Sequence, residues 1–117
     1  MPIRCLIVDD NRPFLEAATQ LLDRQGLDVV GAASNGTEAL RLAGELRPDV
    51  TLVDINLGDE DGFELARLLT GSSRVILIST HAEADLAQLI AASPALGFIS
   101  KARLSAQAIL DTLERAA

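Results

Sequence analysis

The chain has 117 residues, of which 49% are apolar and 23% are charged, which is enough for one globular domain with a hydrophobic core. Its net charge of −7 argues against a surface that binds nucleic acid or an anionic membrane, because both need basic residues. The single cysteine, Cys5, excludes an internal disulfide, and no apolar stretch has the length of a signal peptide or a membrane span. The sequence therefore predicts one cytoplasmic domain over residues 1–117.

The first predicted elements are a strand, a helix and a second strand. Ile3–Val8 is an apolar run typical of a buried strand. Pro13 fits the first turn of a helix and Gly26 its end, because proline has a helical φ angle and glycine adopts the left-handed turn after a helix. The inward face predicted for this helix is Phe14, Ala18, Leu21 and Leu22. Leu27–Ala33 predicts a second strand, and its more polar composition favours the edge of the sheet.

A second helix and a third strand follow. Either Asn35 or Thr37 can cap the start of the helix, and Pro48 prevents its continuation. The predicted inward face is Ala39, Leu40, Ala43 and Leu46. Val50–Val53 predicts the third strand, and Asp54 comes directly after it.

The second half of the chain predicts two further strands and three helices. A third helix begins after Asp61 and ends at Gly71, with an inward face of Phe63, Ala66 and Leu69. The following elements are a strand at Val75–Ile78, a helix at Ala82–Ala92 and a strand at Gly97–Ser100. Ser105 is the predicted cap of a fifth helix, whose inward face includes Ile109 and Leu113.

Five strands that alternate with five helices predict βαβ units and a parallel sheet covered by helices on both faces. In such a sheet, ligands bind beyond the carboxyl ends of the strands. The polar residues at or after those ends are Asp9, Asp10, Asp54, Asn56, Ser79, Thr80 and Lys101. We therefore expect carboxylates, a hydroxyl and one ammonium group to lie at one edge of the sheet.

These side chains suit phosphoryl transfer that depends on Mg²⁺. Mg²⁺ prefers oxygen ligands, commonly one or two carboxylates together with water and a phosphate. The candidate ligands are Asp10, Asp54, the backbone carbonyl of Asn56, and Asp9 through a coordinated water. One carboxylate can then attack phosphorus, while Ser79 and Lys101 supply donors to the phosphoryl oxygens.

The same residues resemble the CheY-like receiver domain of bacterial two-component response regulators, over essentially the whole chain. The family has an acid pair after its first strand, a phospho-accepting Asp after the third, Ser or Thr after the fourth and Lys after the fifth. Those positions are Asp9 and Asp10, Asp54, Ser79 and Lys101 in this sequence. The run DINLGDEDGFELARLL around Asp54 also resembles the family, with Gly62 at its glycine, and Phe98 matches its aromatic switch position.

The resemblance implies a flavodoxin-like, doubly wound (βα)5 three-layer sandwich with a five-stranded parallel sheet in the order 2-1-3-4-5. It implies that Asp54 accepts a phosphoryl group, with Mg²⁺, from a sensor histidine kinase or a phosphotransfer protein. The surface of the fourth helix, fifth strand and fifth helix would then signal to an output domain or a partner protein, and a homodimer is compatible with it. The family often has Pro at the position of Gly58, so we expect a more mobile loop there.

Three positions leave alternatives open. The hydroxyl nearest the site is Ser79 or Thr80, and the spacing of 22 residues from Ser79 to Lys101 matches the family best. His81, the only histidine, is either a solvated loop residue or a group that contacts the phosphoryl group or the attacking water. Phe98 packs in the core and is also a candidate switch residue.

Two other functions compete with a signalling receiver. A Mg²⁺ phosphatase or phosphotransferase of the haloacid dehalogenase kind would have a DxDxT motif, which occurs neither after the first strand nor at Asp54. A receiver-like interaction domain that ignores phosphate would be marked by the loss of an acid or the lysine, and none is lost. There is no phosphate-binding glycine loop to support nucleotide binding. We therefore expect a signalling receiver and not an enzyme, either standing alone or cut from a larger regulator.

Overall fold

The computed structural model describes residues 2–116 and shows a parallel sheet between two layers of helices. The strands are β1 (Arg4–Val8), β2 (Asp28–Ala33), β3 (Val50–Asp54), β4 (Arg74–Ser79) and β5 (Gly97–Ser100). Their spatial order is β2-β1-β3-β4-β5, and every neighbouring pair is parallel. This confirms the predicted flavodoxin-like doubly wound fold, with the more polar second strand at an edge.

Five α-helices cover the sheet. They are α1 (Arg12–Arg24), α2 (Gly36–Leu46), α3 (Gly62–Leu69), α4 (Ala87–Ala92) and α5 (Ala106–Ala116). Short 3₁₀ turns occur at Glu83–Leu86 and Lys101–Arg103, and Asn56–Leu57 pairs with Glu60–Asp61 in a small antiparallel ribbon. None of the helices described is both long and apolar enough to span a membrane.

Alternate residues of each central strand face opposite helical layers, because side chains in a strand alternate between the two faces of the sheet. In β1, Cys5 and Ile7 pack with α1 and α5, whereas Leu6 and Val8 pack with α2 and α3. Both faces are buried, which explains why the strands are nearly continuous apolar runs. Burial, with a smaller contribution from Asp23, raises the pKa of the Cys5 thiol to about 12, in keeping with its expected role as a core residue.

Side-chain caps fix the starts of four helices at the polar residues that precede them. Asn11 Oδ1 accepts a hydrogen bond from Phe14 N (3.1 Å), and Ser105 Oγ accepts one from Ala108 N (3.0 Å). The carboxylate of Asp61 caps α3 in the same way. For α2, the cap is Asn35 and not Thr37.

The fourth helix is shorter than predicted. Only Ala87–Ala92 is α-helical within the predicted Ala82–Ala92, and a 3₁₀ turn takes the place of its first part. No residue of this segment is buried and no side chain caps its start, so little packing supports a longer helix. Leu40 was also placed inward wrongly, since it is exposed on α2, where Ala39 and Ala43 fill the buried positions.

Candidate functional site

A cleft of about 370 Å³ lies at the carboxyl ends of the central strands. Its lining residues are Asp9, Asp10, Asn11, Asp54, Asn56, Gly58, Ser79, Thr80 and Lys101. The cleft therefore brings together all the site residues predicted from the sequence except His81 and Phe98. They meet because parallel strands present their carboxyl ends at the same edge of the sheet.

Backbone amides orient the two buried carboxylates of the cleft. Asp9 Oδ1 accepts a hydrogen bond from Asn11 N (2.9 Å), and Asp54 Oδ1 accepts one from Asn56 N (3.1 Å). Each acid thus turns the chain directly after its strand, as aspartate side chains do in tight turns. The remaining oxygen of each carboxylate is left to face the cleft.

Lys101 is the cation that meets these acids. Its Nζ donates a hydrogen bond to Asp54 Oδ2 (3.1 Å) and lies 2.5 Å from Asp9 Oδ2 in a second ion pair. Asp9 Oδ2 is buried, and this ion pair with the ammonium is its polar contact among the described residues. The ammonium also lies 4.3 Å from the centroid of the Phe14 ring, a cation–π distance.

The cleft holds more negative than positive charge. Asp9, Asp10 and Asp54 each place a carboxylate oxygen within 4.8 Å of the others. Burial and the neighbouring charge of Asp9 raise the pKa of Asp54, although hydrogen bonds from Asn56 and Lys101 oppose this. Burial lowers the pKa of Lys101, but the two carboxylates outweigh it and raise that pKa. Burial is thus a larger cause of the raised pKa of Asp54 than repulsion from Asp9.

These features fit a divalent cation. Three converging carboxylates, two of them buried, form the oxygen-rich donor set that Mg²⁺ prefers. One lysine cannot neutralise three carboxylates, so a cation in the cleft would lower their repulsion.

Ser79 and Thr80 both reach the cleft but differ in burial. Ser79 is the last residue of β4 and is 1% exposed, whereas Thr80 is exposed. Ser79 Oγ accepts a hydrogen bond from the backbone N–H of His81 (3.0 Å) and lies 3.3 Å from its Nδ1. His81 is itself exposed and does not line the cleft. The structure thus places the imidazole against the serine hydroxyl.

The comparisons with known proteins agree with this arrangement. The family model of the response regulator receiver domain matches residues 5–114. The chain belongs to this family. Response regulator GacA of Pseudomonas viridiflava is 35% identical over 103 residues, which are 85% of this chain and 48% of GacA. The chain spans about half or less of the length of the curated relatives it matches.

Two solved receiver structures show the same similarity. The signal receiver domain of the response regulator NarL from Mycobacterium tuberculosis superposes with a TM-score of 0.83 at 29% identity, covering 98% of this chain and 96% of that one. A response regulator from Burkholderia pseudomallei, solved with a phosphorylated aspartic acid, calcium ion and citrate, gives 0.78 at 30% identity, covering 95% and 66%.

Phe98 lies outside the acid cleft of this receiver domain. It is a half-buried residue of β5 whose partner in the strand register is Leu77 of β4. Phe98 packs against the core beneath α2 and α3 and also lines a cleft of about 520 Å³ that reaches Thr112 and Arg115 of α5. It therefore lies two residue pairs from Ser79 along the strands, since Ser79 pairs with Ser100.

Some contacts that shape the site were not predicted from the sequence. Phe14 was assigned only to the core face of α1, and no spacing signal links it to Lys101. Gly58 has a φ of +66°, and a Cβ there would lie 3.3 Å from Asp10 Oδ2. Gly62 was noted as the family's glycine, and the structure gives the reason: a Cβ would lie 2.1 Å from the backbone oxygen of Asp54. The first residue of α3 therefore lies so close to the backbone of Asp54, the candidate phosphoacceptor, that only glycine fits there.

Proposed function

We propose that residues 1–117 form one phosphorylation-controlled receiver domain in which Asp54 accepts a phosphoryl group in a Mg²⁺-dependent reaction. The single observation that carries this proposal is the shared cleft of Asp54, two further carboxylates, Ser79 and Lys101. Asp54 ends the central strand of the sheet and has one oxygen directed at the only cation of that group. The phosphoryl donor would be a sensor histidine kinase or a phosphotransfer protein.

Mg²⁺ would be held by Asp10, Asp54 and the backbone carbonyl of Asn56, with Asp9 bound through a water. When bound, the ion neutralises the carboxylates and the incoming phosphoryl group. The convergence of three carboxylates, which a single lysine cannot neutralise, supports this assignment. The phosphorylated aspartic acid and calcium ion in the Burkholderia pseudomallei relative support the same chemistry.

In the proposed reaction the Asp54 carboxylate attacks the phosphorus of a phosphohistidine. The P–N bond breaks, its electron pair returns to the imidazole, and an acyl phosphate remains on Asp54. The amide of Asn56 keeps the carboxylate oriented, because it already holds Oδ1. Lys101 and Ser79 then donate hydrogen bonds to the phosphoryl oxygens, which carry the developing charge.

The signal would leave the domain through the surface of α4, β5 and α5. Ser79 is paired with Ser100 in the sheet and Leu77 with Phe98, so a movement at the serine has a short path to the aromatic side chain. The cleft between Phe98 and α5 leaves room for such a movement. An output domain, a partner protein or a second copy of the chain would read this surface. The domain would assist only its own phosphorylation and dephosphorylation.

Intact-protein mass spectrometry after incubation with acetyl phosphate tests the proposal. We expect one added phosphate with Mg²⁺, none in the Asp54→Asn variant, and very little with EDTA. Asp59→Asn is the matched control, because Asp59 is an exposed acid of the adjacent loop, and it should be phosphorylated like the parent. Equal phosphorylation of Asp54→Asn and the parent would show that Asp54 is not the acceptor.

A further inference from the structure

We infer that the His81 imidazole holds the Ser79 hydroxyl in the unphosphorylated protein and so competes with the phosphoryl group for it. The inference rests on the proposed function, because it concerns the hydroxyl that would bind the phosphoryl oxygens. His81 would act as a positioning residue that disfavours the phosphorylated conformation.

The contacts of Ser79 carry this inference. Its hydroxyl is almost fully buried, and the backbone N–H of His81 donates to Oγ at 3.0 Å. This bond closes a tight turn directly after β4 and brings Nδ1 of the same residue to 3.3 Å from Oγ. Within residues 2–116, the His81 amide and ring are the hydrogen-bonding partners found for this hydroxyl.

The chemistry of a hydroxyl makes the two states exclusive. A serine hydroxyl has one proton to donate and two lone pairs that accept. The His81 amide occupies one lone pair, which leaves the proton free to bond to an unprotonated Nδ1. Phosphoryl oxygens only accept, so they require the same proton. The phosphoryl group can therefore gain the Ser79 hydroxyl only after the O–H···Nδ1 bond is broken.

The surroundings of His81 favour this role over a direct contact with the phosphoryl group. The residue is exposed and lies outside the lining of the acid cleft, and its ring contacts Ser79, which does line that cleft. A histidine that activated the attacking water would change how long the phosphoryl group persists. A histidine that holds the hydroxyl would instead lower the stability of the phosphorylated conformation relative to the unphosphorylated one.

Binding of beryllofluoride, an acyl-phosphate mimic whose fluorines accept hydrogen bonds, separates these roles. The titration is followed by ¹H–¹⁵N NMR at pH 8 with Mg²⁺, on the parent and on His81→Ala, alone and combined with Ser79→Ala. We expect His81→Ala to bind about three- to tenfold more tightly than the parent, the range of one net hydrogen bond. In the Ser79→Ala background, His81→Ala should change the affinity by less than about 1.5-fold, because the shared hydroxyl is gone.

His81→Asn is the conservative variant. Its side-chain carbonyl can accept from Ser79 much as Nδ1 does, so it should bind beryllofluoride like the parent. Because His81 is exposed, its replacement leaves the core intact. The inference would be overturned if His81→Ala bound beryllofluoride no more tightly than the parent. It would also be overturned if His81→Ala raised the affinity equally in the Ser79→Ala background. Unchanged affinity with an altered phosphoryl lifetime would assign His81 to the water instead. A parent that binds no beryllofluoride would overturn the proposed function, and this inference with it.

The ring nitrogens give a readout that needs no phosphoryl chemistry. His81 is the only histidine, so long-range ¹H–¹⁵N spectra of its imidazole need no assignment. We expect the tautomer with its proton on Nε2 to be more populated in the parent than in Ser79→Ala, because only the parent has a hydroxyl that donates to Nδ1. A parent with the proton mainly on Nδ1 would contradict the inference.

Discussion

The strands below the acid cleft and the segment around α4 differ in how they are packed. All five residues of β3 are buried, and β4 exposes only its first residue. No residue between Glu83 and Ala92 is buried, and Leu89 is 55% exposed. The carboxylates are thus fixed by a closely packed sheet, whereas the residues after the cleft are attached by few buried contacts.

This difference indicates how a small chemical change could alter a surface. Packed strands resist movement, because any shift opens a void. Segments with few buried apolar contacts change conformation at a low free-energy cost. The two regions meet at Ser79, the last buried residue of β4, and His81, the exposed residue two positions later. A contact at that boundary is well placed to bias the looser region.

The largest expected effect comes from truncating a leucine in each region. Leu52 of β3 is fully buried, and Leu52→Ala should lower the free energy of unfolding by about 2–5 kcal/mol, because it leaves a cavity. Leu89→Ala makes the same chemical change in α4 and should cost no more than about 0.5 kcal/mol. Urea unfolding measures both. Similar losses at the two sites would mean that α4 is packed as closely as the sheet.

Two helical glycines, one packed against the strand end at Asp54 and one in open space, allow the same comparison of packing. A Cβ at Gly62 would meet the backbone oxygen of Asp54 at 2.1 Å, so Gly62→Ala should destabilise the fold by about 1–3 kcal/mol. A Cβ at Gly44 in α2 meets nothing within 4 Å, and Gly44→Ala should stabilise by about 0.5–1 kcal/mol. Thermal and urea unfolding report the two changes. A neutral Gly62→Ala would show that the backbone at Asp54 yields easily.

The buried thiol of Cys5 in β1 predicts how the stability of the protein depends on pH. The pKa of Cys5 is raised from 9.0 to about 12 by burial, so the native state keeps its proton where the unfolded chain loses it. This contribution to stability is complete below pH 9 and is lost as the pH rises towards 12. Between pH 8 and pH 10 the parent should lose about 1.4 kcal/mol more stability than Cys5→Ala. Parallel pH curves of the two proteins would mean that the thiol is accessible to water in the native state.

The smallest expected effect is that of one charge in the acid cluster. Asp10 adds a third carboxylate to the two that Lys101 contacts, so Asp10→Asn should stabilise the metal-free protein by about 0.5 kcal/mol. We expect Mg²⁺ to stabilise the parent by binding the native state alone, and the same variant should lose most of that stabilisation. Asp59→Asn, with the same charge change, should keep that stabilisation. Unfolding in EDTA and in Mg²⁺ provides the test, and an Asp10→Asn protein less stable than the parent in EDTA would show that Asp10 has a structural partner.

The sequence was sufficient for features that depend on the backbone. The carboxyl ends of parallel strands share an edge, so the meeting of Asp9, Asp54 and Lys101 could be predicted from the strand positions alone. The start of α3 could likewise be predicted, because Asp61 is a strong cap before a glycine.

Features that depend on the packing of separate elements could not be predicted. The apolar pattern of Ala82–Ala92 marks a helical face but does not show whether a neighbouring layer supports it, and so the break before α4 was missed. The approach of Phe14 to Lys101 depends on how α1 lies against the sheet, and the contact of His81 with Ser79 depends on a side-chain rotamer. Neither leaves a periodic signal in the sequence.

The most direct test of the link between the two regions is an amide map of the parent with and without beryllofluoride and Mg²⁺. ¹H–¹⁵N NMR suits the chain, which has no Trp or Tyr for fluorescence. We expect shift changes at the cleft and also throughout residues 81–104, with the second set lost in Ser79→Ala although that variant still binds the mimic. Changes confined to the cleft residues in the parent, or an undiminished second set in Ser79→Ala, would contradict a signal that passes through Ser79.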